Sequence, residues 1–260
     1  MELGLAGKVA LVTGSSRGIG ASIAEGLAAE GCDVMLTGRD EAALKEVAAA
    51  VAKRGRRAQL TTLDLSDAKA PAALVSDLKK QFRKLDILVN NAGATKRGDF
   101  RELMDADWKD GFELKFFAHV RLAREAWPLL TASKGTVVTI AGIGGKEPEA
   151  EFGIGSSVNA ACMAWTKALA DVGKKEGVQV NTVNPGRVET ERLWRRIRAR
   201  VKDTGDSEAK IRGEYLSEFN ITRFGLVEDI AGLIAFMASP HGRWLHGATI
   251  DMDGGEVRGV

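Results

Sequence analysis

The chain has little of what most often announces chemistry. Its 260 residues include one tyrosine, two cysteines and three histidines, and aromatics make up only 6%. Cys32 and Cys162 lie far apart in apolar surroundings. That excludes a disulfide framework and reads as two small core residues. Three histidines without ligand spacing give no metal site. No apolar run approaches the roughly 20 residues of a membrane span. The opening MELGLAGKVALVTG lacks the basic and apolar segments of an export signal. Neither charge sign dominates: 37 basic against 35 acidic residues leave +2, which speaks against a general nucleic-acid binder. The expectation is a cytoplasmic globular protein with no metal, membrane or nucleic-acid partner.

What is present is a rhythm. Short runs rich in Val, Ile and Leu, at 8–13, 33–37, 58–63, 87–90, 136–140, 178–183 and 249–252, alternate with helical patterns at 18–30, 41–54, 69–83, 104–130, 156–176 and 228–238. The runs are continuous rather than alternating, as strands buried on both faces require. Strands joined by helical crossovers form a parallel sheet. The fold class is therefore α/β, a Rossmann-type three-layer sandwich with a seven-stranded parallel sheet, read as one domain over 1–260. Residues 187–226 break the rhythm with no strand-like run and read as a lid insertion. Within them RLWRRIRARVK places six basic residues between Arg192 and Lys202, while Leu193, Ile197 and Val201 recur every four. That spacing predicts an amphipathic helix with its basic residues spread over the sides and outer face, a surface suited to an anionic substrate such as an acyl thioester.

The first strand ends in Thr13-Gly14-Ser15-Ser16-Arg17-Gly18-Ile19-Gly20, and a helix follows at once. In that context a glycine-rich turn lets the backbone approach a pyrophosphate, and the helix N-terminus offers free N–H groups and positive potential. Gly14, Ser16, Arg17, Gly18, Ile19 and Gly20 are the candidate phosphate cradle. The second strand ends Thr37-Gly38-Arg39-Asp40. An acidic residue at the place of Gly38 would bind an adenosine ribose and repel a 2′-phosphate. Glycine does neither, whereas Arg17 and Arg39 can bracket such a phosphate. This points to NADP(H) over NAD(H), with Asp40 left as an alternative ribose ligand.

The spacing T-G-x-x-x-G-x-G resembles the short-chain dehydrogenase/reductase family. Asn90-Asn91-Ala92-Gly93, Asn184-Pro185-Gly186-Arg187-Val188-Glu189-Thr190 and Asp253-Gly254-Gly255 follow in the family's order. The resemblance implies an oxidoreductase acting on a carbonyl or alcohol, packed as a homotetramer or homodimer through the fourth and fifth helices. Phe112, Phe116, Phe117, Val120, Met163 and Trp165 are compatible with such an interface. It further implies that Asp64 contacts adenine and that Asn90, Gly93, Val188 and Thr190 contact the ribose and nicotinamide ends.

The family's catalytic side chains are absent. Its Ser position falls on Gly142, its Tyr on Gly155, its Lys on Asn159 and its Asn on Lys115. No Tyr-x-x-x-Lys occurs anywhere, and the lone Tyr215 lies in the lid segment. Lys115, Ser156 and Asn159 are the remaining candidates for catalysis, with Lys115 a charged donor to an oxyanion or a ligand of the ribose. Glu147, Glu149 and Glu151 read as a solvated loop. Two readings stand foremost: an oxidoreductase with a non-standard proton donor, and a catalytically silent NADP(H)-binding sensor or scaffold. Elimination or isomerisation on the same fold is a third.

Overall fold

The computed structural model describes residues 2–259. Seven strands form one sheet in the order β3-β2-β1-β4-β5-β6-β7. They are β1 (Val9–Thr13), β2 (Asp33–Gly38), β3 (Ala58–Thr62), β4 (Ile87–Asn90), β5 (Thr136–Ile140), β6 (Gln179–Pro185) and β7 (Thr249–Met252). Every pairing is parallel. Helices α1 (Gly18–Ala29), α2 (Glu41–Lys53), α3 (Ala70–Phe82), α4 (Asp105–Phe112), α5 (Ala118–Ser133) and α6 (Gly153–Glu176) follow in chain order. They are succeeded by α7 (Glu191–Thr204), α8 (Glu208–Glu218) and α9 (Val227–Ala238). The sheet is thus a hydrophobic slab with a separate core on each face. Val12, Val89 and Val138 meet Ile23, Leu27 and Ile234 on one side, while Leu11, Leu88 and Val137 meet Leu74, Leu122 and Leu130 on the other. Each such side chain contributes about 1.5–3 kcal/mol by leaving water.

Two departures from the sequence reading matter for the site. The helix expected over 104–130 is interrupted: Glu113–Phe117 forms a π-turn between α4 and α5. Such a turn accommodates one extra residue, so the segments on either side need not face the same core. Trp108 and Phe112 pack with Ile154 and Cys162, whereas Leu122 and Leu130 join the main core. Phe116 and Met163, expected at a subunit interface, belong to the same small cluster as Trp108, while Phe117 stays exposed.

The second departure lies in residues 187–226, read from the sequence as a lid, where a second helix joins the one expected and the two build a core of their own. Helices α7 and α8 are both capped, by Thr190 and Ser207. Leu193 and Ile197 are buried and Val201 packs beside them, as the four-residue spacing predicts. They close on Ile211, Tyr215, Ile221 and Phe224, a separate small core. The lone tyrosine is therefore packing material: Tyr215 is 7% exposed and its ring lies 5.7 Å from that of Phe219.

Candidate active site

A cleft of about 790 Å³ opens at the carboxyl ends of the strands, between the glycine turn, the β5–α6 connection and the lid. Its floor on one flank is backbone. Helix α1 starts at Gly18, and its N-cap Arg17 makes no side-chain capping bond. The first N–H groups of the helix therefore remain available to an anion in the cleft. The turn is fastened from behind by Asn91, whose Nδ2 donates to Thr13 O at 2.9 Å and to Gly14 O at 3.2 Å. Gly20 is required by this closeness, because a Cβ there would lie 2.5 Å from Asn91 Nδ2 and overlap the Gly14 carbonyl. Gly14, Ser16, Arg17, Gly18, Ile19, Gly20, Arg39, Asp64, Gly93, Val188 and Thr190 all line the cleft. Asn90 does not: it is fully buried, with both side-chain amide atoms unpartnered. Asn91, overlooked in the sequence reading, is the asparagine that holds the turn.

At the outer end of this flank Gly38 abuts Ser16, and Arg17 and Arg39 are exposed above it. Arg39 stands 3.6 Å from Asp64. The Asp64 carboxyl is held below its usual range chiefly by the Ser66 backbone N–H, with Arg39 adding to the effect. Asp40, the alternative ribose ligand, is already engaged as N-cap of α2, accepting from Ala43 N at 3.1 Å.

The opposite flank is built from side chains. Lys115 comes from the π-turn, crosses Gly93 and ends between β5 and α6. Its Nζ donates to Asn159 Oδ1 at 2.6 Å and to Ala141 O at 2.7 Å. Burial of the ammonium brings its pKa down to about 8, slightly offset by the Cys162 thiol and reinforced by the positive charge of Arg192. The two candidates Lys115 and Asn159 thus meet. Ser156 does not join them: it is buried with an unpartnered hydroxyl and contributes nothing to the cleft wall. At about 100° of rotation per residue, Asn159 and Ser156 leave α6 in directions roughly 60° apart, and only the former reaches the cleft. His119 is likewise buried. Its Nε2 lies 2.9 Å from Ala92 O, and burial pushes its pKa down to about 3, so the ring is neutral. It supports the Asn91–Gly93 turn instead of carrying protons.

Position 155, read from the sequence as the family's tyrosine, is crowded by another side chain. A Cβ at Gly155 would lie 2.1 Å from two ring atoms of Phe152, and one at Gly144 would lie 2.9 Å from the same ring. Phe152 therefore fills the space that a side chain at 155 would take. Arg97 stacks on that ring at 4.0 Å and bonds Glu149 at 2.8 Å. Glu149, expected in a solvated loop, is shared between Arg97 and Arg187, the latter at 2.9 Å. Burial works to raise its carboxyl, but the two guanidiniums outweigh it and hold the pKa at about 2. The lid's basic face is also arranged differently from expectation. Arg192, Arg195 and Arg196 line the cleft, while Arg198 pairs with Glu191 and Arg200 with Glu214 at 3.0 Å.

Residues 8–200 match the family described as short chain dehydrogenase. Among curated relatives, 2-dehydro-3-deoxy-D-gluconate 5-dehydrogenase of Dickeya dadantii is 34% identical over 255 residues, covering 96% of both chains. A 3-oxoacyl-[acyl-carrier-protein] reductase of Salmonella typhimurium is 30% identical over 250 residues, covering 96% of this chain and 97% of the other. Among solved structures, L-sorbose reductase from Gluconobacter frateurii, complexed with NADPH and L-sorbose, superposes with a TM-score of 0.97 at 33% identity, covering all of both chains.

Proposed function

The chain belongs to the short-chain dehydrogenase/reductase family, and we propose that within it the protein is an NADP(H)-dependent carbonyl reductase whose proton donor is Lys115. The cleft fits the cofactor: uncapped helix N–H groups face it, Gly38 leaves room beside Ser16, and Arg17 and Arg39 flank that space. The solved relative with NADPH bound supports the same choice. When bound, the nicotinamide supplies the hydride.

The observation that carries the reading is the pair Lys115–Asn159. The family's asparagine position holds a lysine and its lysine position holds an asparagine, and the two side chains meet at 2.6 Å. An ammonium is therefore still delivered to this part of the cleft, but from the π-turn. A protonated lysine has three N–H donors. Two are engaged by Asn159 Oδ1 and Ala141 O, and the third is left for the carbonyl oxygen of a substrate. Proton transfer from Nζ to that oxygen, as hydride reaches the carbonyl carbon, gives the alcohol and a neutral amine. The two N–H groups that remain still satisfy both protein acceptors, so the amine waits in place for reprotonation. A pKa near 8 is close to the working range of a general acid. Asn159 positions the amine and adds no competing charge.

We extend the proposal to organisation: one domain over the whole chain, a lid at about 187–226, and a homotetramer or homodimer using the exposed Phe117 and Val172. The test is NADPH oxidation with a panel of ketones, for wild type, Lys115→Ala and Lys115→Met. Turnover that falls about 10²–10⁴-fold in both variants supports the assignment. Turnover that survives both removes Lys115 from the chemistry. Tight NADPH binding without turnover of any carbonyl favours the sensor or scaffold reading, for which the filling of the tyrosine space by Phe152 is the specific observation.

A further inference from the structure

The inner end of the cleft carries more positive charge than the chain neutralises. Five guanidiniums border it from separate parts of the sequence: Arg97 between β4 and α4, Arg187 after β6, and Arg192, Arg195 and Arg196 on α7. The carboxylates bonded to them are two, Glu149 and Glu256. Arg97 uses Glu149 through both terminal nitrogens, at 2.8 and 3.4 Å. Arg187 is divided between Glu149 at 2.9 Å and Glu256 at 3.0 Å. Each also lies over an aromatic ring, Arg97 over Phe152 and Arg187 over Phe219, with guanidinium carbons 4.0 and 3.8 Å from the ring centres.

The other three, Arg192, Arg195 and Arg196, have no carboxylate at all among the described residues. Arg192 reaches the Gly93 carbonyl at 3.2 Å. Arg196 is half-buried over the Tyr215 ring at 5.9 Å, with no hydrogen-bonded side-chain partner. Burial lowers the pKa of both, and neighbouring arginine charges, Arg97 among them, lower each further. Like charges gathered in a partly dehydrated cleft are unfavourable on their own, and they gain most from an anion that enters it. The outer residues of α7 show the contrast. Arg198 and Arg200 are already paired within residues 187–226, so the arginines of α7 without a carboxylate are the ones that line the cleft.

We propose that the substrate is a keto acid whose carboxylate is held by Arg192 and Arg196, with Arg97 behind them, while its carbonyl faces Lys115. This rests on the reading of the cleft as a carbonyl-reducing site and names the substrate class. A carboxylate is favoured over a phosphate because the structure already displays the match. Arg97 holds the carboxylate of Glu149 through both terminal nitrogens here; a guanidinium fork suits phosphate as well, which makes phosphate an arm of the test.

The experiment is calorimetric titration of the NADP⁺-loaded protein with pyruvate, acetoacetate and levulinate, each beside its methyl ester, and with inorganic phosphate. NADPH oxidation by the same ketones is followed in parallel. At least one acid is expected to bind tenfold or more tightly than its ester. Arg196→Ala and Arg196→Gln should both abolish that difference, whereas Arg198→Ala leaves it intact. Acid binding that depends on Arg196 but shows no turnover keeps the carboxylate site and defeats the reductase reading. Turnover of neutral esters, unaffected by Arg196→Gln, keeps the reductase reading and overturns the carboxylate site. Equal binding of acids and esters, failure of every acid to bind, or phosphate binding tighter than any acid also overturns it.

Discussion

The two flanks of the cleft both contain glycines, and the glycines mean opposite things. On the β1–α1 flank they are there because backbone must touch backbone: Gly20 lies against the Gly14 carbonyl and Asn91. On the β5–α6 flank Gly155 lies against Phe152, a side chain standing in the space another side chain would use. The first flank presents main-chain N–H groups, which any sequence of the right shape can supply. The second presents functional groups, which change with every substitution. A cradle made of backbone can therefore persist unchanged while the side chains opposite it change, and in the proposed mechanism that change falls at Lys115 and Asn159, which meet at 2.6 Å.

Substitutions on the two flanks should fail in different ways. Gly20→Ala should have the largest effect. Its methyl group overlaps backbone that cannot move without opening the turn, so a stability loss of about 3 kcal/mol or more is expected together with loss of NADPH binding. Thermal unfolding and fluorescence titration would measure both, and a folded variant with normal NADPH affinity would mean that the turn is looser than its contacts imply.

Lys115→Met should leave the fold and most NADPH affinity in place while removing turnover. The pH dependence of wild type sharpens the point. The acid form of Lys115 predominates below about 8 and is lost above it. The reductive rate should therefore fall as pH rises through that value, and the oxidative rate should rise. A reductive rate flat from pH 6 to 10 would contradict the assignment.

Rebuilding the family's usual set by Gly142→Ser, Gly155→Tyr, Asn159→Lys and Lys115→Asn should fail by itself. The new tyrosine meets Phe152, and residue 142 has φ +148°, which a serine resists. Overpacking of this kind costs about 1–3 kcal/mol. Adding Phe152→Ala should recover part of that loss, read as a higher melting temperature than the fourfold variant shows. The smallest effect is expected from Arg39→Ala, an exposed residue: roughly tenfold weaker NADPH binding with NADH unchanged. Equal losses for both cofactors would remove Arg39 from discrimination.

The fold was legible because period and punctuation agree. The seven apolar runs coincide with the seven strands to within about two residues at each end, a usual margin for such boundaries. The glycine turn was legible for the same reason, since a strand, a glycine turn and a helix in succession leave the backbone few alternatives. The helix over 104–130 misled because a π-turn has no local composition signal, and its extra residue appears only as a shift of apolar phase between Phe112 and Leu122. Ser156 was misplaced because the start of α6 lies three residues earlier than its apolar pattern indicates. Arg97, Glu149 and Arg196 could not be joined from sequence, for they meet only when the β4–α4 loop, the β5–α6 connection and the lid are folded together. The one available hint was the number of arginines in the lid, which marks charge but not the direction it faces.

The π-turn also separates two mechanical tasks that a continuous helix would have to share. Ahead of it, Trp108 and Phe112 bear on the small cluster beside the cleft; behind it, Leu122, Ala126 and Leu130 are clamped to the sheet. Lys115 sits in the slack between them. Its anchorage is therefore local, set by Asn159, Ala141 and the bare surface of Gly93, and the ammonium can be tuned by its own neighbours without the main core having to repack. In a rigid sandwich, one surplus residue has given Lys115 a mounting of its own.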